Sequence, residues 1–281
     1  MAAPVHFQIL SDLHLETHSS YQYPIRKNAN NLALLGDIGL ITDDGLFTWL
    51  ESLLEEFHLI LFLFGNHEPL HTSWYLAKHR MHSFAARIND LRSRSTIGEF
   101  VLLDQTINDI KNSNLTILGC TLFSHVPPRE AGAVARRFVD FQKIKDWTVP
   151  DHNDAHERDL QSLNQEVSEI AETEPERQIA ILTHYCPTLL SEASDPRHRS
   201  SPVFSGFATD LLAERCWTDP AVVFWAFGHT YFGCNFKEGG TGKTIHANQK
   251  GYAHAQANGF NRDSTVLVGR SETKGFSMLH V

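Results

Sequence analysis

The run from Leu59 to Phe64, followed by Gly65-Asn66-His67-Glu68, constrains this chain more than any other stretch. Its apolar residues do not alternate, so they read as a strand covered on both faces, as in a sheet packed between two layers. Gly65 then permits a tight turn or a close backbone approach. A carboxamide, an imidazole and a carboxylate arrive together directly after it, at the carboxyl end of the strand. Open α/β sheets bind their ligands at that end.

The same arrangement recurs along the chain. Val5, Phe7 and Ile9 alternate in a first strand that leads to Asp12-Leu13-His14, and residues i and i+2 of an extended segment share a face. A carboxylate and an imidazole aimed at one point suit a divalent metal such as Mn, Fe or Zn. Asn31 to Leu35 lead into Gly36-Asp37, Ile179 to Thr183 into His184, and Val222 to Phe227 into Gly228-His229-Thr230-Tyr231. Asp43 and Asp44 precede Phe47, Leu50, Leu53, Leu54 and Phe57 at helical spacing, with the acids at the helix N-terminus. Strands alternating with a helix in this way imply a largely parallel sheet and an α/β fold.

Trp74, Leu76, Met81, Phe84, Ile88 and Leu91 predict a helix within residues 70–97, with His71, His79 and His82 in solvent or at caps. Leu160, Leu163, Val167 and Ile170 predict another, ending near Pro175. Residues 16–30 read as a polar loop, and residues 124–153 show no clean period. Strands are expected at 101–104 and 115–119, joined by a polar turn around Asn108 to Asn114. Short strands are also expected at 231–236, 244–246, 265–268 and 276–281. No repeat or linker interrupts the chain, so one domain over residues 1–281 is expected.

Composition narrows the function classes. The net charge of −9 argues against a long nucleic acid as main partner, because neutralising phosphates takes a basic surface. A small phosphorylated substrate, held by metal and a few local cations, remains compatible with it. No run of about 18 apolar residues is present, and the start lacks the basic and apolar regions of a signal peptide, so no membrane span or export is expected. Cys120, Cys186, Cys216 and Cys234 follow no pairing pattern and read as reduced thiols of a cytoplasmic protein. Cys186 lies two residues from His184, yet no glycine elbow presents it and Pro187 follows, so a buried structural thiol is expected. Seventeen histidines bring metal ligation to the front.

In this order, Asp12-x-His14, Gly36-Asp37, Gly65-Asn66-His67-Glu68, His184 and Gly228-His229 resemble the motif series of the calcineurin-like metallophosphoesterases: D-x-H, G-D, G-N-H-[ED], a lone H and G-H-x-H. The resemblance spans residues 12–231, and Asn248-Gln-Lys-Gly251-Tyr252 is similar to an N-x-x-G-Y turn of some members. It implies an α/β fold of two packed mixed β-sheets flanked by helices, four layers in all, and a centre of two divalent metal ions (Mn, Fe or Zn). Carried over by residue, Asp12 and His14 would hold the first ion, Asp37 would bridge both, and Asn66, His184 and His229 would hold the second. His67 would stand near the leaving group without ligating, and Glu68 would fix a neighbouring imidazole. The implied activity is hydrolysis of a phosphomonoester or phosphodiester. Two ions about 3.5–4 Å apart clamp the phosphate and make hydroxide from a bound water near neutral pH. Protonated His67 can give its proton to the leaving oxygen, a step typically worth about 10²–10⁴-fold.

The last position departs from the pattern, since Tyr231 stands where the family has His. Ionising a phenol at neutral pH costs about 4 kcal/mol before any metal assistance. Tyr231 can therefore ligate as phenolate, leave the position to water, or yield it to another histidine such as His246. The departure also admits an alternative function, a weakened member of the fold kept for binding. A nuclease of the same fold is a further alternative, which the acidic balance disfavours. For substrate contacts the sequence offers Arg197 and Arg199 with His198 in a long loop (Ser191 to Ser205), which reads equally as a lid or as a solvated loop. Arg136, Arg137 and Tyr231 are further candidates, and Trp74, Trp147 and Tyr252 are candidates for stacking. Oligomeric state is left open by the sequence.

Overall fold

The computed structural model describes residues 4–252 and 255–269. In chain order its strands begin with β1 (Val5–Leu10), β2 (Asn31–Leu35), β3 (Leu59–Leu63), β4 (Glu99–Leu102), β5 (Thr106–Asp109) and β6 (Leu115–Cys120). They continue with β7 (Gln178–Thr183), β8 (Val222–Ala226), β9 (Cys234–Lys237), β10 (Thr244–Ala247), β11 (Gly251–Tyr252), β12 (Ala255–Gln256) and β13 (Val266–Val268). The helices are α1 (Asp44–Leu54), α2 (Trp74–Arg92), α3 (Pro128–Arg137), α4 (Asp140–Lys143), α5 (Val149–Thr173) and α6 (Arg215–Thr218).

One sheet has the order β13-β1-β2-β3-β4, parallel except for antiparallel β13 at its edge. The other has the order β5-β6-β7-β8-β10-β9, parallel in its middle and antiparallel at both edges. Both are mixed sheets, and alternate residues of the buried strands face different layers. Leu32 and Leu34 of β2 and Ile60 and Phe62 of β3 pack against α1 and α2, while Ala33, Leu35, Leu61 and Leu63 face the other sheet. Ile179 and Ile181 of β7 pack under α5, while Ala180 and Leu182 meet the first sheet's inner face. The pairing of β7 with β8 slips by one residue between Ile179 and Ala180. That slip lets both Val223 and Phe224 turn inward before Trp225 turns out again. The result is helices, sheet, sheet, helices, the four-layer α/β arrangement expected from the motifs.

Several expected elements need correction. Residues 124–153, which lack an apolar period, hold α3, α4 and the first turn of α5. Only Val134 of α3 is buried, and the buried face of early α5 is formed by Val149, His152, Ala155, His156 and Asp159, so no hydrophobic stripe marks α3 or the start of α5, whose later half carries the predicted Leu163, Val167 and Ile170. Their starts are set locally, by Pro128 at the head of α3 and by the reciprocal Thr148–Asp151 capping box of α5. The strand expected at 231–236 begins only at Cys234, because Tyr231 is in a left-handed turn (φ 51°). Between the strand expected at 101–104 and the polar turn expected around Asn108 to Asn114, Thr106–Asp109 form a half-exposed edge strand that runs into the start of that turn. The strand expected at 276–281 lies outside the described residues. His71, His79 and His82 are exposed, as expected.

Burial in this frame produces a pH dependence. His152 is pushed down to about 3 by burial, with His156 adding to the effect, and His246 is pushed down to about 4 by burial. Both stay neutral in the folded protein while the unfolded chain protonates below about 6.5. Below that value the unfolded state binds more protons, so stability is full above pH 6.5 and falls progressively toward pH 4. Each histidine is expected to remove about 1.4 kcal/mol per pH unit in that window. Thermal unfolding at pH 7.5 and 5.5 checks this, and a His246→Phe variant should show a shallower loss on acidification.

Candidate metal centre

The ends of β1, β2, β3, β7 and β8 converge, and their polar turns meet at the seam between the sheets. Close backbone approach makes this possible. A Cβ on Gly36 would sit 2.4 Å from the backbone N of Gly65, and one on Gly65 would sit 2.2 Å from Asp37 Oδ1. Only glycine at both positions lets the second and third turns touch.

Asp12, His14 and Asp37 form one group of ligand atoms, and Asp37, His184 and His229 form another, each within 4.8 Å. Asp37 belongs to both groups. Its Oδ1 lies 3.5 Å from His184 Nε2 and its Oδ2 lies 3.9 Å from His14 Nε2. Asp12 accepts the backbone N–H of His229 at 3.1 Å, which ties the first turn to the last. His184 Nδ1–H donates to the Leu35 carbonyl at 2.8 Å, so its Nε2 is the atom that faces inward. There it meets Asn66 Oδ1 at 3.1 Å and His229 Nδ1 at 3.2 Å. His229 is oriented in the same way, with Nε2–H donated to the Gly206 carbonyl at 3.2 Å. One proton on His184 can satisfy only one of these acceptors. A cation between them satisfies all, and Asp37 Oδ2 is buried with no hydrogen-bond partner, so the residues present fit a metal ion.

Electrostatics agree with the ligand roles. Burial opposes ionisation of Asp37, but His184, His67 and His14 outweigh it and hold the carboxyl below the usual range. Burial pushes Asp12 up, with His184 pulling against it. Burial drives His229 well below its ordinary value, which leaves the neutral imidazole that a metal needs. The backbone is strained here as well: Asp12, His14, Asp37, His229 and Tyr231 all have φ between 48° and 69°. Left-handed non-glycine residues cost about 1–3 kcal/mol each and gather at functional sites.

Three roles differ from the sequence reading or were missed by it. Glu68 does not fix an imidazole. Its Oε2 accepts the backbone N–H groups of Gly65 (2.7 Å) and Asp37 (3.1 Å), and its Oε1 that of Ile38 (2.7 Å), so it joins the second and third turns. Glu16, inside the stretch read as a polar loop, takes the imidazole role instead: its Oε1 lies 3.1 Å from His14 Nδ1 and 3.0 Å from His67 Nδ1. Asp140 accepts from Asn66 Nδ2 at 2.8 Å and so aims the Asn66 oxygen at His184. Proximity to His14 is the only signal that pointed to Glu16, and none pointed to Asp140.

The remaining candidates are distributed as follows. The Tyr231 hydroxyl stands 3.3 Å from His14 Nε2, and burial pushes the phenol well above its ordinary value. His246 belongs to neither ligand group. Arg197 is engaged by Asp195, and Arg199 by Ser191 and Ser194 of its own loop. Arg136 and Arg137 end α3. Tyr252 stacks on His14 at 4.2 Å between centroids, whereas Trp74 and Trp147 pack together in the core. Cys186 is buried with its thiol on the Thr188 carbonyl, and burial pushes it above its ordinary value, as a structural thiol requires.

No protein-family model matches the chain. An uncharacterised protein, L509, of Acanthamoeba polyphaga mimivirus is 24% identical over 278 residues, covering 90% of this chain and 92% of the viral one. The crystal structure of phosphopantetheinyl hydrolase (PptH) from Mycobacterium tuberculosis superposes with a TM-score of 0.64 at 15% identity, over 91% of this chain and 92% of that one. Among the described residues no helix is long and apolar enough to cross a membrane.

Proposed function

We propose that this chain is a metal-dependent hydrolase of phosphate esters built on two divalent ions, Mn, Fe or Zn. The observation that carries the reading is Asp37, common to two ligand groups and with a buried oxygen that has no hydrogen-bond partner. The motif series shared with the calcineurin-like metallophosphoesterases and the fold shared with a solved hydrolase support it. In this reading Asp12, His14 and Asp37 hold the first ion, and Asp37, Asn66, His184 and His229 the second. When bound, the ions would offset the phosphate charge and acidify a water.

The chain's own residues account for the proton. Burial opposes a charged His67, but Asp37 and the hydrogen bond to Glu16 raise it to about 9, so it is protonated at neutral pH. Its Nδ1–H is held by Glu16 at 3.0 Å, which leaves the Nε2–H to donate to a departing alkoxide. The Tyr252 hydroxyl, 3.3 Å from Nε2, steadies the ring. A small phosphorylated substrate is the proposed partner rather than nucleic acid, and the free thiols suit a cytoplasmic setting.

A fold retained for binding alone is the second reading, favoured by Tyr231, whose hydroxyl stands beside His14 where the family has a histidine. Elemental analysis, paired with turnover of nitrophenyl phosphate and bis-nitrophenyl phosphate under Mn, Fe or Zn, separates the two. Two ions per chain with hydrolysis is the expected result. No bound ion and no turnover under any loading overturns the hydrolase reading, and bound ion without turnover favours binding.

A further inference from the structure

The turn after β8 has a second side. His229 faces the metal cluster, while Thr230 and Tyr231 wall a cavity of about 240 Å³ that Val203, Phe204 and Phe207 enclose from across. The far wall is fastened to the cluster. Gly206, between Phe204 and Phe207, accepts from His229 Nε2, and the Phe207 ring lies 5.0 Å from the His229 ring. Tyr231 borders both places, since it lines the cavity and its hydroxyl stands 3.3 Å from His14 Nε2.

Charge decides what the cavity accepts. Asp195 reaches it, but its carboxylate receives the Arg197 backbone N–H at 2.9 Å and the Arg197 Nε at 2.9 Å. Arg199 donates to Ser194 O at 3.2 Å and to Ser191 O. Both arginines of the loop are thus turned onto the loop itself, and a second anionic group would meet a carboxylate and aromatic rings. The volume lies below the about 300–1,000 Å³ of sites for drug-sized ligands. One ring or a short branched chain fits, and a nucleoside polyphosphate does not. His198 and Ser201 add hydrogen-bonding groups to the lining.

We propose that this cavity receives the compact, uncharged, apolar ester group of the substrate, and so makes the chain selective for phosphates of small ring-bearing or branched alcohols. The assignment rests on the hydrolase reading for its setting, and its test separates the two. Metal-loaded full-length protein is titrated calorimetrically with benzylphosphonate and with ethylphosphonate, and turnover of benzyl phosphate and ethyl phosphate is followed in parallel. The benzyl compounds should bind at least about tenfold more tightly and show the same advantage in kcat/KM, as apolar pockets commonly provide. Ser201→Trp, which fills the cavity, and Phe204→Ser, which strips its wall, should each erase the preference and leave the ethyl compounds unchanged.

If either substitution prevents folding, competition by benzyl alcohol on the wild type decides: it should weaken benzylphosphonate binding and not ethylphosphonate binding. Equal binding of the two phosphonates, or a preference that survives both variants, overturns the assignment. Turnover of both esters without a binding preference removes the cavity's role and keeps the hydrolase. A benzylphosphonate preference without turnover of either ester keeps the binding site and removes the hydrolase.

Discussion

An Asp37→Asn variant is expected to lose phosphate-ester turnover by about 10³-fold or more, equivalent to about 4 kcal/mol. It is also expected to retain at most one ion per chain. Asp37 offers one oxygen toward His184 and the other toward His14. Asparagine keeps a single neutral oxygen and turns an NH₂ toward one of the two groups, so one group loses its anionic ligand and the other gains a donor where an acceptor is needed. The fold should survive. Asn tolerates the left-handed backbone found at this position (φ 52°), and its oxygen can still accept the His67 backbone N–H, now 2.8 Å from Oδ1. Metal content by elemental analysis, turnover and Tm check this together. Two retained ions with wild-type turnover would remove Asp37 from the centre.

Glu68→Gln is expected to be the most destabilising conservative change. The carboxylate is fully buried and accepts three backbone N–H groups, those of Asp37, Ile38 and Gly65. Burial and the nearby Asp37 charge push it upward, but backbone N–H groups occupy both of its oxygens and leave a carboxyl proton no acceptor, so the ionised form is the one these bonds hold. A glutamine that turns its oxygen to Gly65 and Asp37 sets its NH₂ against the Ile38 N–H, donor against donor. That arrangement costs about 3 kcal/mol, a fall in Tm of roughly 6–12 °C for a chain of this size. Because the same bonds hold the second and third turns together, metal affinity should fall by about 10–100-fold as well. Thermal unfolding and equilibrium dialysis measure the two effects. An unchanged Tm would mean that the turns hold each other without Glu68.

The parts of this molecule legible in the sequence are those where one residue type does one job. Most of the buried parallel strands announce themselves by unbroken apolar runs, and a polar residue marks where each one ends, after a glycine in β2, β3 and β8. Asp12, His14, Asp37, Asn66, His184 and His229 were singled out at such strand ends, their ligand roles implied by the family resemblance, and the structure brings them together. Glu16 and Asp140 were missed because their work is defined by partners distant in the chain: Glu16 reaches His67 across 51 positions, and Asp140 reaches Asn66 across 74. The helices between 124 and 153 were missed for a different reason. Their buried faces include His152, His156 and Asp159, polar residues whose burial is balanced by bonds such as the Leu122 N–H to Asp159 and the Leu122 carbonyl to His156. Arg197 and Arg199 look like anion clamps on paper, yet a neighbouring carboxylate and neighbouring carbonyls take them first.

The bond from the His229 N–H to Asp12 joins residues 217 positions apart, and the cluster draws on turns from both sheets. Contacts this distant carry a large loop-closure cost, which slows their formation. The turns after β1 and β2 of the first sheet carry Asp12, His14 and Asp37, whereas His184 and His229 come from the second sheet. A molecule with the first sheet formed and the other still unfolded could complete only the Asp12, His14 and Asp37 group, and one with only the second sheet formed would complete neither. The pair of groups that Asp37 shares is therefore complete only once the two sheets dock.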